Sequence, residues 1–543
     1  MMVCKMSGRR NTPIWVAPQK LKLLSLFWGQ KLFLYFTKVA VRLQKRTHLL
    51  KLRNEVIVMV TPDYKEIEQL AKEYNIIPIC KEIYADITTP IALLRKISRI
   101  SNRYYLLESV EGGEKWGRYS FLGFNPIAHV ACKNGVVNIE DNKKKTVHSL
   151  KPLEVLRDYL SEYKAPRLPG IPPFAGGFVG YFSYSMIGYA EPVLKLRSSE
   201  FNDFDLMLFD KVIAYDHLKQ KISIIANMRS DKIEENYRKA LAEIDDIVWM
   251  ITEQVIMPKP RMKSVPQFIC NVSEEEYCKM VEKTKEYIKN GDIFQAVISR
   301  RFETEYKDSL LNSYRVLRTT NPSPYMVFMQ YDDVQLISAS PETLVRLQNG
   351  ILSTFPIAGT RPRGKTREED IALERELLED EKELAEHNML VDLARNDLGK
   401  ISKYSSVHVV NYKMVQRYSK VMHITSEIEG CISEGKDALD AIEALLPAGT
   451  LSGAPKIRAC EIIEELEKEP RGIYGGAIGY IDFTGNMDVC IAIRMAVKKN
   501  GKVYVQAGGG IVADSIPERE YEESENKARA IMEAIISARE VDE

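Results

Sequence analysis

Strand-like segments punctuated by glycine recur along this chain and alternate with amphipathic helices. Two examples are GRYSFLGFNP at 117–126 and GGFVGYFSY at 176–184, in which apolar and aromatic residues lie between glycines. A capping box of Ser273 and Glu276 opens a helix that Asn290 and Gly291 end. This pattern predicts an α/β or α+β fold in two pieces.

Further elements follow from the same signals. Thr61 or Asp63 can cap a first helix, and strands are predicted at 104–108 and 294–302, with a final helix over about 517–539. The proline-rich stretch MPKPRMKSVP at 257–266 has the composition of an exposed linker. We therefore predict a division into segments 1–58, 59–262 and 263–543.

Composition excludes several classes of protein. With 543 residues, 45% of them apolar, the chain can build large cores, so disorder and a disulfide miniprotein are excluded. The 76 basic and 75 acidic residues leave no excess charge for nucleic acid. The eight cysteines never form CxxC, which indicates a reducing, cytoplasmic compartment. No apolar run approaches the roughly 18 residues of a membrane span, so we expect no membrane partner.

The first 58 residues differ from the rest. They carry twelve basic residues and one acid, Glu55, whereas the chain from Met59 onward is acidic. Three interpretations compete: an organelle transit peptide, a basic amphipathic membrane-surface helix, or translation upstream of a true start at Met59. We favour the third interpretation, because the sequence that Met59 opens, MVTPDYKEIEQLAKEYN, is typical of the N-terminus of an enzyme.

Common catalytic signatures are missing from the sequence. There is no GxxxxGK[ST], and GGFVG lacks the GxGxxG spacing, so nucleotide dependence is not expected. GxSxG, HExxH and a glutaminase-type Cys/His pairing are missing too. The remaining candidate motifs are concentrated after residue 290.

Those motifs carry a resemblance that extends over essentially all of 59–543. The motifs are GDIFQAVISRR (291–301), NPSPYM (321–326), SASPE (338–342), PIAGTRPRG (356–364), KELAEHNMLVDLARNDLG (382–399), VMH (421–423), PAGTLSGAPK (447–456), YGGAIGY (474–480), IAIR (491–494), VQAGGG (505–510) and the tail at 514–527. In this order, they make the chain resemble the large, chorismate-binding subunits (component I) of anthranilate synthases, in the chorismate-utilising enzyme family.

The resemblance implies an α+β fold with two intertwined subdomains of largely antiparallel sheets, packed as a sandwich with helices outside. It implies amination of chorismate at C2 and elimination of pyruvate to give anthranilate, the first step of tryptophan biosynthesis, with feedback inhibition by tryptophan. Because the chain has no glutaminase triad, ammonia would come from a separate glutamine amidotransferase subunit, in a heterotetramer of two large and two small subunits.

Chorismate is a dicarboxylate with an enolpyruvyl ether and a hydroxyl leaving group. Its enzyme needs a cation at the ring carboxylate, donors for the second carboxylate and acid/base groups at the leaving hydroxyl. Mg²⁺, which prefers one or two protein carboxylates plus waters, suits this task.

The resemblance assigns each role to residues of this chain. The metal ligands would be Glu386 and Glu523, and the catalytic residues His423, Glu342 and Thr360. Chorismate would contact Gly359, Thr360, Tyr474, Arg494, Gly508, Gly509 and Gly510. Tryptophan would bind at Ser109, Pro324, Tyr325 and Met326. The other six histidines, His387 included, we interpret as structural.

Two positions distinguish the reactions of this family. Family members that add water at C2 look to have a lysine at the position of Gln295. Aminodeoxychorismate synthases often have a lysine at the position of Ala358. Ammonia is already nucleophilic and needs neither lysine. The alternatives are an aminodeoxychorismate synthase large subunit and a non-catalytic subunit that binds tryptophan.

Overall fold

The computed structural model describes residues 60–109, 117–253, 265–418 and 421–541. The basic segment at 1–58 and most of the predicted linker at 257–266 lie outside these residues. Residues 60–543 belong to one compact unit. The division at 262 into two pieces stays a prediction.

A 13-stranded antiparallel sheet, here called sheet one, takes strands from both halves of the chain. The strand Arg103–Glu108 pairs with Tyr325–Tyr331, more than 200 residues further on. The strands of sheet one are β1 (Val60–Thr61), β2 (Ile76–Tyr84), β3 (Arg103–Glu108), β4 (Tyr119–Phe124), β10 (Lys211–Asp216), β11 (Lys221–Arg229), β12 (Ile269–Cys270), β13 (Gln295–Glu305), β14 (Tyr325–Tyr331), β15 (Val334–Ser340), β21 (Gly453–Ala454), β24 (Met495–Lys499) and β25 (Lys502–Ile511).

A second antiparallel sheet of 12 strands, here called sheet two, is also built from both halves. Gly177–Phe182 pairs with Ala477–Asp482 at its centre. Its strands are β5 (Ala128–Lys133), β6 (Val136–Glu140), β7 (Lys144–His148), β8 (Gly177–Phe182), β9 (Phe204–Phe209), β16 (Thr343–Gln348), β17 (Ile351–Thr354), β18 (Ile357–Pro362), β19 (His408–Arg417), β20 (Val421–Cys431), β22 (Ala477–Asp482) and β23 (Met487–Ile491).

Twelve α-helices occur in the described part of the chain. They are α1 (Tyr64–Leu70), α2 (Pro90–Ile97), α3 (Pro152–Ser161), α4 (Ile187–Ala190), α5 (Ile233–Thr252), α6 (Glu274–Lys289), α7 (Leu311–Thr320), α8 (Arg367–Glu379), α9 (Glu381–Gly399), α10 (Ala438–Leu445), α11 (Lys456–Leu466) and α12 (Pro517–Ser537).

The two sheets pack face to face, with helices on their outer faces. Tyr105 and Val327 of sheet one share a buried cluster with Val179 and Ile478 of sheet two. Helices α1, α2, α5, α7 and α12 cover sheet one, and α3, α9 and α10 cover sheet two. This arrangement confirms the predicted sandwich of antiparallel sheets with external helices. It arises because both faces of each sheet carry apolar side chains that must be covered.

Several predicted elements agree with the structure. Asp63 caps α1 by accepting a hydrogen bond from the backbone N–H of Glu66, and the capping box of Ser273 and Glu276 is formed at α6. The predicted strand at 294–302 is the longer β13, and the last helix, α12, ends at Ser537. None of the described helices combines the length and the apolarity needed to cross a membrane.

Candidate active site

A bulge between β18 and β20 brings three predicted site residues together. Thr360 lies opposite His423, but the register shifts between Ala358 and Thr360. Gly359, at the shift, has φ +65°, and an added Cβ would lie 2.9 Å from the Leu377 side chain. A glycine is therefore required here on both conformational and steric grounds.

The bulge selects the tautomer of the neutral His423 ring. Nδ1 of His423 lies 2.9 Å from the carbonyl oxygen of Gly359 and 3.1 Å from Oγ1 of Thr360. A carbonyl only accepts, so Nδ1 carries the proton and donates it. The lone pair of the neutral ring is then on Nε2, which makes Nε2 the nitrogen that can act as a base.

Glu342 lies between β15 and β16, and its carboxyl group has a raised pKa. Burial raises this pKa to about 7, while a hydrogen bond from the Thr450 hydroxyl lowers it in part. The Oγ1 to Oε1 distance is 3.0 Å. A carboxyl with this pKa is substantially protonated at neutral pH and can donate a proton.

Thr450 was not singled out from the sequence. It belongs to PAGTLSGAPK, a motif that supported the resemblance but was given no role. A hydroxyl in a glycine-rich loop is a weak signal by itself, because such residues are common in turns.

The glycine triplet ends strand β25 against β13. Gly508 pairs with Ser299 and Gly510 with Val297. A Cβ on Gly510 would lie 2.3 Å from Nε2 of Gln295, so the Gln295 amide lies directly over this strand. Gln295, the position expected to distinguish family members that add water, therefore lies next to Gly510, one of the predicted chorismate glycines.

Gly509 faces the last helix. A Cβ on Gly509 would lie 2.9 Å from Oε2 of Glu520, so α12 approaches the glycine strand closely. Further along α12, Ser524, Ala528 and Ile531 are buried, and their stripe adjoins the one that carries Glu520 and Glu523. The first turns of α12 therefore place Glu520 beside the glycine strand, while the following turns pack against the core.

Tyr474 and Arg494 form the candidate carboxylate-binding pair. Tyr474 is buried, which raises the pKa of its hydroxyl to about 12, and nearby Arg471 and Arg494 act in the opposite direction. Burial also lowers the pKa of Arg494, while Tyr474 and Glu523 raise it. Tyr474, Arg494 and Glu523 are therefore close enough to interact electrostatically, although they come from three separate motifs.

The Arg494 guanidinium makes no hydrogen bond or ion pair with any residue that the structure describes. Its backbone carbonyl accepts from Ala339, but its side-chain donors have no such partner. Partial burial of an unpaired cation is costly unless an anion completes the site. Arginine offers a planar fork that matches a carboxylate, so this position fits recognition of a carboxylate ligand.

The two predicted metal ligands lie on different helices. Asp380 caps α9, which carries Glu386, and α12 carries Glu523. The pKa of Glu386 is raised, first by burial, and then by Glu383 and Glu523. Glu386 and Glu523 are thus close enough to repel each other across the site.

Glu520 and Lys527 complete the electrostatics of this region. The pKa of Glu520 is also raised, mainly by burial and in part by Glu523. Nζ of Lys527 lies 2.6 Å from Oε1 of Glu523 and donates to the Gly508 carbonyl at 3.2 Å. The Lys527 ammonium therefore reduces the repulsion between the carboxylates of Glu520 and Glu523.

The donor set fits Mg²⁺ better than a transition metal. Within the described ranges, no three Asp, Glu, His or Cys side chains are grouped closely enough to enclose a metal. Mg²⁺ does not need such a cage, because it keeps several waters and takes one or two protein carboxylates. Glu386 and Glu523 meet this requirement.

The four predicted effector residues lie at neighbouring strand ends. Glu108 pairs with Met326, which puts Ser109 beside Tyr325 just after β3 ends. Pro324 and Tyr325 are half-buried, and Met326 is fully buried in the core. The Tyr325 hydroxyl donates to Asp488 at 2.8 Å and lies 2.9 Å from Oγ1 of Thr343, the neighbour of Glu342.

His387 has no access to the site. It is fully buried, its Nε2 lies 2.7 Å from Oγ of Ser426, and burial lowers its pKa to about 4. It packs α9 against β20, which agrees with a structural role.

Comparisons with known proteins give the family and the fold of the chain. The family described as chorismate binding enzyme matches residues 102–533, which defines the class of the protein. The fold is shared with the menaquinone-specific isochorismate synthase of Escherichia coli, at 18% identity over 87% of this chain and 98% of that one, with a TM-score of 0.63.

Relatives with higher sequence identity carry the name anthranilate synthase component 1. Anthranilate synthase component 1 of Acetivibrio thermocellus is 48% identical over 89% of this chain and 100% of its own length, and that of Aquifex aeolicus is 45% identical over 88% and 98%. A crystal structure of component I from Streptococcus pneumoniae is 37% identical, with a TM-score of 0.69 over 83% of this chain and 99% of that one. The chain belongs to the anthranilate synthase component 1 family of chorismate-binding enzymes.

Proposed function

We propose that this protein is the chorismate-aminating lyase of an anthranilate synthase. It adds ammonia to C2 of chorismate, expels the C4 hydroxyl as water, and eliminates pyruvate to leave anthranilate. The reaction depends on Mg²⁺ and begins tryptophan biosynthesis in the cytoplasm. The observation that carries the proposal is the partly buried guanidinium of Arg494, which has no hydrogen-bond partner among the described residues, lies near Tyr474 and Glu523, and fits a carboxylate ligand.

Binding begins with the two carboxylates of chorismate. Arg494 and Tyr474 receive one of them through charge-assisted hydrogen bonds, and the backbone N–H groups of Gly508 and Gly510, which point away from β13, offer further donors. Glu386 and Glu523 would hold Mg²⁺, which when bound supplies positive charge for the ring carboxylate. The raised pKa of Glu386 supports this assignment, because closely placed carboxylates favour a bound cation.

Proton transfer falls to Glu342 and His423. Protonated Glu342 donates its proton to the C4 oxygen, so hydroxide leaves as water while the ring double bonds shift and ammonia bonds to C2. In the second stage C2 loses its proton as the C3–O bond breaks, and the ring becomes aromatic. The departing enolpyruvate takes up a proton at its methylene carbon and becomes pyruvate. Nε2 of His423, whose Nδ1 is held by Gly359 and Thr360, is suited to accept that proton.

Gln295 and Ala358 favour amination at C2 over the related reactions. Gln295 lies over Gly510, and its neutral amide cannot act as the general base that water addition requires. Ala358 is buried opposite Ile424 and cannot act as an amine nucleophile. Ammonia needs neither group.

The source of ammonia is a second protein. We propose a glutamine amidotransferase subunit as partner, in a heterotetramer of two large and two small subunits, in line with the name component 1 of the relatives. Tryptophan would bind beside Ser109, Pro324, Tyr325 and Met326, where two strand ends adjoin the residue next to Glu342.

Product analysis tests the proposal. The full chain is incubated with chorismate, magnesium chloride and ammonium at alkaline pH, and anthranilate fluorescence and pyruvate release are followed together. We expect equal amounts of both products and none without magnesium. An amino product that keeps its enolpyruvyl group would indicate an aminodeoxychorismate synthase, and no product would indicate a binding subunit.

A further inference from the structure

Arg471 is a buried arginine that joins three segments of the candidate site. Its side chain is 1% exposed. Nη1 donates to the carbonyl oxygen of Leu451, and Nη2 donates to that of Val297 at 2.6 Å. The guanidinium also lies 5.8 Å from the ring centroid of Tyr474.

Glu467 balances this charge. It caps the end of α11, its side chain is 4% exposed, and it accepts from Nη2 of Arg471 at 2.6 Å and from Nε at 2.9 Å. Oε1 of Glu467 also accepts from the backbone N–H and the hydroxyl of Ser299, both at 2.8 Å. The pair is bidentate, and both carboxylate oxygens have partners.

Each segment that the pair contacts carries a residue of the site. Leu451 follows Thr450, whose hydroxyl donates to Glu342. Val297 and Ser299 lie on β13 opposite the glycine strand, as partners of Gly510 and Gly508. Arg471 itself lies three residues before Tyr474.

We propose that the Glu467–Arg471 pair positions the chorismate site, by holding the Thr450 loop, strand β13 and Tyr474 in one fixed arrangement. This inference rests on the proposed function. Neither residue contacts the substrate in this arrangement, and both act through the residues they hold.

The physical reason is the shape of the guanidinium. The N–H bonds of the planar group point in fixed directions, toward Glu467 on one side and toward the carbonyls of Leu451 and Val297 on the other. A small shift of any one of these segments therefore distorts the hydrogen bonds to the other two. A lysine ammonium keeps the charge but cannot reach these acceptors with the same fixed geometry. A misplacement of about 1 Å can cost on the order of 100-fold in activity.

The test uses Arg471→Lys and Glu467→Gln in the full chain, with Arg318→Lys as matched control. Arg318 forms the same kind of bidentate contact with buried Glu108, at 2.8 and 3.1 Å, but touches no predicted chorismate residue. For each protein we would measure the unfolding temperature, KM and kcat without tryptophan, and the dissociation constant of chorismate by calorimetry with magnesium and without ammonia.

We expect Arg471→Lys and Glu467→Gln to stay folded and to bind chorismate about ten-fold or more weakly, with a matching rise in KM. The control should lose stability yet keep KM within about two-fold.

Wild-type chorismate affinity in both site variants would overturn the inference, and so would loss of folding in both, because the pair would then belong to the core alone. If the wild type binds chorismate but makes no anthranilate, the proposed function fails, while the dissociation constants still test the positioning role.

Discussion

The hydroxyl of Thr450 donates a 3.0 Å hydrogen bond to Oε1 of Glu342. The two residues are 108 positions apart, and the bond is the contact that partly offsets the effect of burial on the Glu342 carboxyl. Burial favours the neutral acid, while a donor to the carboxylate favours the ion. The balance of the two leaves the pKa of Glu342 at about 7.

The first prediction concerns the pH dependence of Thr450→Val. Glu342 must be protonated to act as an acid, so kcat/KM should fall as pH rises through its pKa, near 7. Valine removes the hydrogen bond that lowers this pKa, so the pKa rises and the falling limb moves to higher pH. Profiles of kcat/KM for both proteins, recorded at constant free ammonia, measure the shift.

Thr450→Ser is the control for this experiment. Serine keeps a hydroxyl, so its profile should coincide with that of the wild type. A limb that stays in place in Thr450→Val, or one that moves equally in both variants, would contradict the assignment of Glu342 as the acid.

The second prediction concerns Glu386 and Glu523, the two carboxylates proposed to bind Mg²⁺. Glu386→Gln and Glu523→Gln each remove one negative charge from the site and keep the side-chain shape, so Mg²⁺ should bind weakly and anthranilate formation should fall by about 100-fold or more. The fold should survive, because Glu386 lies beside like charges and its charge is not needed for packing. Calorimetric titration with magnesium, alongside activity, measures the effect.

Glu522→Gln provides the matched control. Glu522 is an exposed carboxylate on the same helix, one residue from Glu523, and has no predicted site role. Its removal should leave magnesium affinity unchanged. Wild-type magnesium binding in Glu386→Gln or Glu523→Gln would refute these residues as ligands.

Much of the fold could be predicted from local signals. The capping box at Ser273 and Glu276 and the cap at Asp63 act within one helical turn, so their sequence pattern is sufficient. The glycines at 359 and 508–510 were singled out through the family resemblance. The structure adds the physical reason, because a Cβ at each of these positions would lie within 3.0 Å of a neighbouring atom.

Contacts between distant segments were not visible in this way. Examples are the pairing of β3 with β14 within sheet one, the hydrogen bond from Thr450 to Glu342 and the one from Arg471 to Leu451. Each depends on which distant segments the complete fold brings together. Nothing in the sequence around either partner encodes such contacts. The chemical roles of the site could therefore be assigned only by resemblance, whereas their arrangement required the structure.

The third prediction concerns feedback by tryptophan. If Ser109 contacts tryptophan, Ser109→Ala removes one hydrogen bond worth about 0.5–1.5 kcal/mol, which raises the inhibitory concentration roughly two-fold to ten-fold. The rate without tryptophan should not change, because Ser109 belongs to no part of the chorismate site. Anthranilate formation against tryptophan concentration measures both quantities. An unshifted inhibition curve, or a loss of uninhibited rate, would contradict the prediction.

The fourth prediction separates stability from function at Arg494. The guanidinium is partly buried, which lowers its pKa, and it has no hydrogen-bonding partner among the described residues. An unpaired cation in such a place costs stability, so Arg494→Met should unfold at the same temperature as the wild type or higher. The same change removes the planar donor group proposed to receive a carboxylate, so KM for chorismate should rise by about 100-fold or more.

Arg494→Lys, which keeps the charge but lacks the planar donor group, should have an intermediate KM. Thermal unfolding and steady-state kinetics on the three proteins decide it: a marked fall in the unfolding temperature of Arg494→Met, or an unchanged KM, would mean that Arg494 serves the fold and not the substrate.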